Sequence, residues 1–259
     1  METAIDVEAP AVSAASAVSL HGVRRVLGAR AVLDSLDLRV PPGGRLGIVG
    51  RSGVGKSTLL SLVAGLTQPD AGLISVCGEQ SASGRLSRCA LMPQRDCLLP
   101  WRTALDNACL ALENRGISRR EARERAAPLL ASLGLAGSEH LRPGRLSGGM
   151  RQRVAFLRTL LSDKQVLLLD EPFGALDAIT RGELQEWLSE ILVREPRTVL
   201  LVTHDIEEAL LLCERVVVLA AGRVALELEV EVPRGGPRRE LVTGEAFLAL
   251  RSRALEALE

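Results

Sequence analysis

The chain has no tyrosine, and aromatic residues make up only 2% of it. Platforms for single-stranded nucleic acid are built by stacking bases on such rings, so composition argues against that partner. Charge argues the same way: 32 Lys and Arg balance 32 Asp and Glu, leaving no net field to gather a polyanion. Long apolar runs are also missing; the longest, from Val216 to Ala221, is strand-sized and far too short to span a bilayer. The cysteines Cys77, Cys89, Cys97, Cys109 and Cys213 form no C-x-x-C pair and have no histidine at ligand spacing. That excludes a disulfide scaffold and a zinc site, and it fits reduced thiols. The first sixteen residues are acidic and rich in Ala, Ser and Val, without the basic start and apolar block of a secretion signal. They read as a loose tail on a soluble intracellular protein.

What is present is organised around Gly50-Arg51-Ser52-Gly53-Val54-Gly55-Lys56-Ser57-Thr58. An apolar run, Leu46 to Val49, precedes it, and the helically spaced stretch Leu59 to Leu66 follows. Strand, glycine turn and helix therefore frame a G-x-x-x-x-G-K-[ST] pattern. Glycines let backbone N–H groups converge on phosphate oxygens without Cβ clashes. The helix opening at Lys56 aims its unpaired N–H groups and dipole at the same anion. Lys56 adds a point charge, and the Ser57 hydroxyl is placed to ligate Mg²⁺. The plain alternative is an ordinary glycine-rich turn, which the three-part context disfavours.

At 259 residues the chain is long enough for a full α/β core and one small satellite. Val18, Leu20 and then Val32 to Val40 alternate as strands do, before Pro41-Pro42-Gly43-Gly44 turns into the central strand. Strands are expected at Leu73–Val76 and Cys89–Met92, separated by a polar, flexible stretch from Gly78 to Ser87. From Arg95 to Arg145 the spacing turns helical, with helices at Thr103–Leu112 and Arg119–Leu133. Thereafter helices from Met150, over Thr180–Leu192 and over Ile206–Leu212 alternate with strands at Val166–Leu169, Val199–Val202, Val216–Leu219 and Val224–Leu228. Such alternation specifies a largely parallel sheet with helices on both faces. Pro233-Arg234-Gly235-Gly236-Pro237 precedes one final amphipathic helix bearing Phe247, Leu250, Ala254 and Leu258. There are no internal repeats.

Three further features carry chemistry. Val166-Leu167-Leu168-Leu169 runs into Asp170-Glu171, an aliphatic strand ending in two carboxylates. Asp170 suits Mg²⁺ or its water and Glu171 suits polarising an attacking water; a solvated acidic turn is the plain alternative. Leu146-Ser147-Gly148-Gly149-Met150 places an N-cap and two glycines at a helix start, a second anion seat. Alone this motif is usually only a cap. Yet one nucleotide needs one seat, so two seats point to two facing chains. Gln94, His204 and Asp177 each follow or flank strand ends. Singly they signify little, and Asp177 also suits capping the helix from Thr180. Carboxyl ends of parallel strands, however, converge on one crevice.

Taken in chain order, the motifs resemble the ATP-binding subunit of ABC transporters over roughly residues 18 to 230. The resemblance implies a P-loop NTPase (RecA-like) α/β fold: a mostly parallel sheet core, an N-terminal antiparallel β part and a small α-helical subdomain. It divides the chain into a tail (1–16), the nucleotide-binding core (17–94 and 154–232), the helical subdomain with the signature motif (95–153) and a C-terminal linker and helix (233–259). It implies ATP bound by residues 50–58, with Lys56 and Ser57 serving phosphate and Mg²⁺. Gln94 would sense the membrane subunit and assist the metal, with Asp170 beside Mg²⁺ and Glu171 as general base. His204 would be the switch histidine and Asp177 a dimer contact. Ser147, Gly148 and Gly149 would lie across the partner's γ-phosphate in a head-to-tail homodimer.

Two positions depart from the family. Met150 stands where the signature has Gln, which removes an amide but leaves Ser147 and the backbone donors. Leu27 stands where an aromatic covers adenine; stacking is worth ~1–3 kcal/mol per base in nucleic-acid binders, so ATP is expected to bind more weakly here. Leu98-Leu99-Pro100-Trp101-Arg102-Thr103-Ala104-Leu105-Asp106-Asn107 looks like the branch that serves nitrate, alkylsulfonate and taurine importers. Trp101 is then either an anchor for a membrane permease along Gln94 to Arg102 or a packed residue of the helical subdomain. The resemblance implies a peripheral protein on the cytoplasmic face of the membrane, served indirectly by an external solute-binding protein, with no nucleic acid. A non-transport ABC ATPase and a small P-loop kinase are the other classes; the first lacks its tandem domain or coiled-coil insertion, and the second leaves Ser147, Asp177 and His204 without a purpose.

Overall fold

The computed structural model describes residues 16–174, 176–194, 196–231 and 238–258. The loose tail over 1–16 thus lies almost wholly outside the described residues, as does the Pro233–Pro237 break. In chain order the elements begin β1 (Val18–Leu27), β2 (Arg30–Val40), β3 (Arg45–Gly50), α1 (Lys56–Val63), β4 (Ala71–Val76), α2 (Ala82–Arg88) and β5 (Cys89–Met92). Next come α3 (Ala104–Asn114), α4 (Arg119–Ser132), α5 (Gly148–Leu160), β6 (Val166–Asp170), α6 (Ala178–Arg194) and β7 (Thr198–Thr203). The chain closes with α7 (Ile206–Leu212), β8 (Arg215–Ala220), β9 (Arg223–Glu229), α8 (Arg238–Thr243) and α9 (Glu245–Glu256).

The central sheet has the order β5-β6-β7-β3-β8-β9, parallel throughout except for the antiparallel edge strand β9. A second, antiparallel sheet has the order β2-β1-β4. Side chains alternate across a strand, and here both faces are buried, as in covered parallel sheets. Leu168, Leu200, Val202 and Ile48 join one apolar cluster with α1 and the antiparallel sheet. Leu167, Leu169, Leu201 and Val49 join the other, with α3, α4, α5 and α7. The phosphate-loop helix is therefore clamped between two sheets, while the opposite face carries the helical segment. α5 is one uninterrupted helix that crosses position 153.

Two expectations fail locally. The stretch Gly78–Ser87 is not flexible coil: it carries all but the last residue of α2, whose first turn is capped by Ser81 accepting from the Gly84 N–H at 3.0 Å. Its apolar residues are too few for a periodicity to appear, but the Ser81 cap was readable. The C-terminal region is two described helices, not one. Gly244 stands between α8 and α9, and Leu258 lies beyond the end of α9. Phe247 and Ala254 are buried in the main core, and Arg251 Nε pairs with Glu207 of α7 at 3.0 Å, so α9 packs on the body of the protein.

Candidate ATP-binding and hydrolysis site

Strand register decides which residues meet. β6 lies beside β5 and β7 with Met92 opposite Leu169 and Asp170 opposite Val202, and β3 lies beside β7 with Val49 opposite Thr203. The residues that follow these ends, Gly50 onward, Gln94, Glu171 and His204, consequently emerge along one edge of the sheet.

The loop after β3 is shaped for an anion. Gly53 and Gly55 have φ of 76° and 112°, a left-handed backbone that glycine adopts without cost. A Cβ on Gly55 would stand 2.8 Å from the Val32 carbonyl oxygen. Gly55 caps α1 with no side-chain hydrogen bond, so the first N–H groups of α1 point outward with no side chain to receive them. Lys56 is buried, and its Nζ donates to the carbonyls of Gly50 at 2.7 Å and Arg51 at 3.1 Å. Burial lowers its pKa, while Glu171 and Asp170 pull it back up. A desolvated ammonium beside free helix donors is a seat for phosphate.

Next to it, Asp170 is buried, and burial raises its pKa; the Ser57 hydroxyl hydrogen bond opposes this, Glu171 adds to it and Lys56 opposes it. A hydroxyl and a carboxylate held together make a hard oxygen pair that suits Mg²⁺. Glu171 has φ of 47°, a strained left-handed setting for a non-glycine residue, of order 1 kcal/mol or more. Its N–H donates to the Val202 carbonyl at 2.8 Å, which fixes the kink. Its Oε2 lies 3.0 Å from His204 Nδ1 and 3.5 Å from Gln94 Nε2. The structure thus brings together Lys56, Ser57, Asp170, Glu171, Gln94 and His204.

Five other expected residues sit elsewhere. Leu27, half exposed, ends β1. Ser147 caps α5, accepting from Met150 N–H at 3.2 Å, and Gly148 and Gly149 follow it. Asp177 caps α6, accepting from Thr180 N–H at 3.0 Å, and that bond lowers its pKa. Both caps expected from sequence are present. They are tied to the acidic turn: Gln152 of α5 donates to the Pro172 carbonyl at 2.9 Å, and Leu176 lies against Gly149.

The segment after Gln94 is fastened to the same helix. Arg151 Nε pairs with Asp96 at 2.9 Å, and Arg158 donates to the carbonyls of Asp96 at 2.7 Å and Cys97 at 2.8 Å. Farther along, buried Asn107 holds the turn, accepting from Leu99 N–H at 2.7 Å and donating to the Leu99 and Thr103 carbonyls at 3.1 and 3.0 Å. Trp101 rides on that turn with 67% of its surface exposed, so it is not a packed residue of the helical segment. A cavity of about 340 Å³ beside the phosphate loop is lined by Arg30, Arg51, Ser52 and Leu258 among others. A larger one, about 890 Å³, is lined by residues at the opposite strand ends, including Gly43, Gln165 and Thr198, and shares nothing with the site.

Sequence reading missed one titratable group. Glu208, in the first turn of α7, is 3% exposed. Its spacing from Asp205 is that of a capping box, and Asp205 does accept the Glu208 N–H at 3.2 Å. Its carboxyl is turned inward instead, and burial, with Asp205 and Glu171 adding and Thr203 and Arg181 opposing, pushes its pKa from 4.5 to about 8. Folding therefore favours the protonated acid. The penalty is absent below pH 4.5, grows between the two values and is complete above about 8. Glu208→Gln, which removes the charge, is expected to raise the thermal unfolding midpoint by roughly 5 °C on the alkaline side of this window and hardly at its acid end. Equal midpoints for both proteins at alkaline pH would contradict the assignment.

Among the described residues no helix is long and apolar enough to cross a membrane. The family model described as "ABC transporter" matches residues 33–174, more than half of the chain. Among curated relatives, "Aliphatic sulfonates import ATP-binding protein SsuB 1" of Rhodococcus jostii (strain RHA1) is 50% identical over 218 residues, covering 84% of this chain and 83% of that one. "Aliphatic sulfonates import ATP-binding protein SsuB 2" of Streptomyces avermitilis is 44% identical over 245 residues, covering 93% and 90%. Among solved structures, a dimeric post-hydrolysis state of the ATP-binding cassette MJ0796 bound to ADP and Pi is similar with a TM-score of 0.76 at 30% identity, covering 85% of this chain and 100% of that one. With the phosphate loop, the capped glycine helix and the acidic strand end following one another along the chain, the chain belongs to the ABC transporter family.

Proposed function

We propose that the chain is the ATP-hydrolysing subunit of an importer for an aliphatic sulfonate or a closely related small solute, working as a head-to-tail homodimer beneath separate membrane subunits. The observation that carries the reading is the meeting of the bare α1 N-terminus and buried Lys56 with the Ser57–Asp170 pair and the Glu171–His204 contact. The names of the relatives support the sulfonate, and the dimeric cassettes support the pairing. Nitrate and taurine, which the branch also serves, are the less supported solutes.

In this reading Gly50, Arg51, Ser52, Gly53, Val54, Gly55 and Thr58 wrap the phosphates, and the Lys56 ammonium exchanges its carbonyl partners for them. Ser57, Asp170 and Gln94 hold Mg²⁺, whose chemistry is to neutralise charge on the transferred phosphoryl group. Glu171 orients and deprotonates the attacking water, and His204 steadies that carboxylate and reaches the γ-phosphate. Ser147, Gly148 and Gly149 of one protomer close on the nucleotide of its partner, where the Ser147 hydroxyl, already an acceptor in the cap, still has a proton to donate. Asp177 meets the partner beside them, and Leu27 covers the base.

The turn from Gln94 to Arg102, with Trp101 as anchor, is the docking surface for a permease helix, and an external binding protein delivers the solute. In this reading the chain works at the cytoplasmic face of the membrane, with no role for nucleic acid. Glu171→Gln is expected to keep ATP affinity while steady-state hydrolysis falls roughly 10²–10⁴-fold, and uptake of a labelled alkylsulfonate into vesicles holding the membrane subunits is expected to stop. Hydrolysis at the parental rate in that variant would remove Glu171 as the base. Leu27→Tyr is expected to tighten ATP binding by about five-fold or more, the return of a stacking contact; an unchanged Kd would show that the leucine already serves the base as well.

A further inference from the structure

Arg181 has no part in the hydrolytic site, yet it joins two of that site's neighbours. It stands in the first turn of α6, where its N–H donates to the Asp177 carbonyl at 2.9 Å. Its guanidinium then turns back: Nη2 donates to the Leu176 carbonyl at 3.2 Å, and Nη1 reaches Asp205 Oδ2 at 3.5 Å. Asp205 is equally committed. Its other oxygen caps α7 and its N–H donates to the Thr203 hydroxyl at 3.0 Å. His204 lies between Thr203 and Asp205, with its ring against Glu171 at 3.0 Å.

We propose that Arg181 is a positioning residue that ties the Leu176–Asp177 turn to the turn bearing His204, so that both move as one piece. The inference rests on the ATPase reading above, in which Asp177 meets the partner protomer. A planar, two-pronged guanidinium suits this task because it fixes direction as well as distance. Both partners are half-buried, 31% and 28% exposed, so the pair is less screened than a surface one. Leu176 also lies against Gly149, which brings the start of the signature helix into contact with the same turn. A shift at the Asp177 surface thus reaches His204 through Arg181 and Asp205, and reaches Glu171 through the imidazole.

The test uses the full chain, whose three histidines are His21, His140 and His204. In histidine ring NMR spectra recorded without nucleotide, Arg181→Gln is expected to move the His204 signals and leave those of His21 and His140 in place. If that variant disturbs all three rings, Arg181→Lys, which keeps a cation but loses the second prong, takes its place under the same criterion. In ATPase assays Arg181→Gln is expected to lower kcat about five-fold with KM for ATP within about two-fold. Asp205→Asn, which preserves the α7 cap, is expected to do the same, and the double variant to be no worse than the poorer single one. Unmoved His204 signals, or single effects that multiply in the double variant, would overturn the proposal. Because the NMR arm needs no turnover, a chain without ATPase activity would refute the ATPase reading and leave this link still open to its own test.

Discussion

A buried ammonium at the open end of a helix is the constraint on which the rest depends. Lys56 is desolvated, and its nearest partners are two backbone carbonyls that compensate a cation only in part. Beside it, α1 begins at a left-handed glycine with no side chain to take its first N–H groups. Both features favour a bound anion. Asp170 and Glu171 sit at the rim of the same corner, and burial makes Asp170 hard to ionise unless a cation shares the space. Positive and negative halves thus act on each other across one corner, an arrangement whose electrostatics are completed by a phosphate chain carrying a divalent metal.

That corner is reached by connections that run through the whole α/β body. The sheet register aligns the strand ends, and a strained kink at Glu171, pinned to the Val202 carbonyl, aims its carboxylate at His204. Gln152 grips the Pro172 carbonyl, and Arg151 and Arg158 hold the segment after Gln94. The helix that begins at Ser147 therefore cannot shift without pulling on both the acidic turn and the loop that leads to Trp101. This is a short mechanical path from the acidic turn to an exposed tryptophan.

Much of this was legible in the sequence because it depends on local patterns. The phosphate loop declares itself through glycine spacing, β6 and β7 through unbroken aliphatic runs, and the caps at Ser147 and Asp177 through residue type. What escaped depends on tertiary context. α2 carries almost no apolar face, so periodicity is silent over Ala82–Arg88. The C-terminal helices divide at Gly244, a single residue within an otherwise helical pattern. Glu208 and Arg181 look like ordinary solvated charges on helices. Only the packing of α7 against the sheet, and the backward turn of one guanidinium, give them roles. Trp101 was ambiguous for a related reason: sequence cannot tell a buried ring from one held outward by Asn107.

The most direct measurement is calorimetric titration of Mg-ATP into the parental chain and into Lys56→Ala. The expected result is one nucleotide bound per chain in the first, and at least about a hundred-fold loss of affinity in the second, the cost of removing a charge-assisted contact from a desolvated seat. Equal affinity in the two proteins would contradict the assignment of the phosphate corner, and with it the role given to every residue arranged around it.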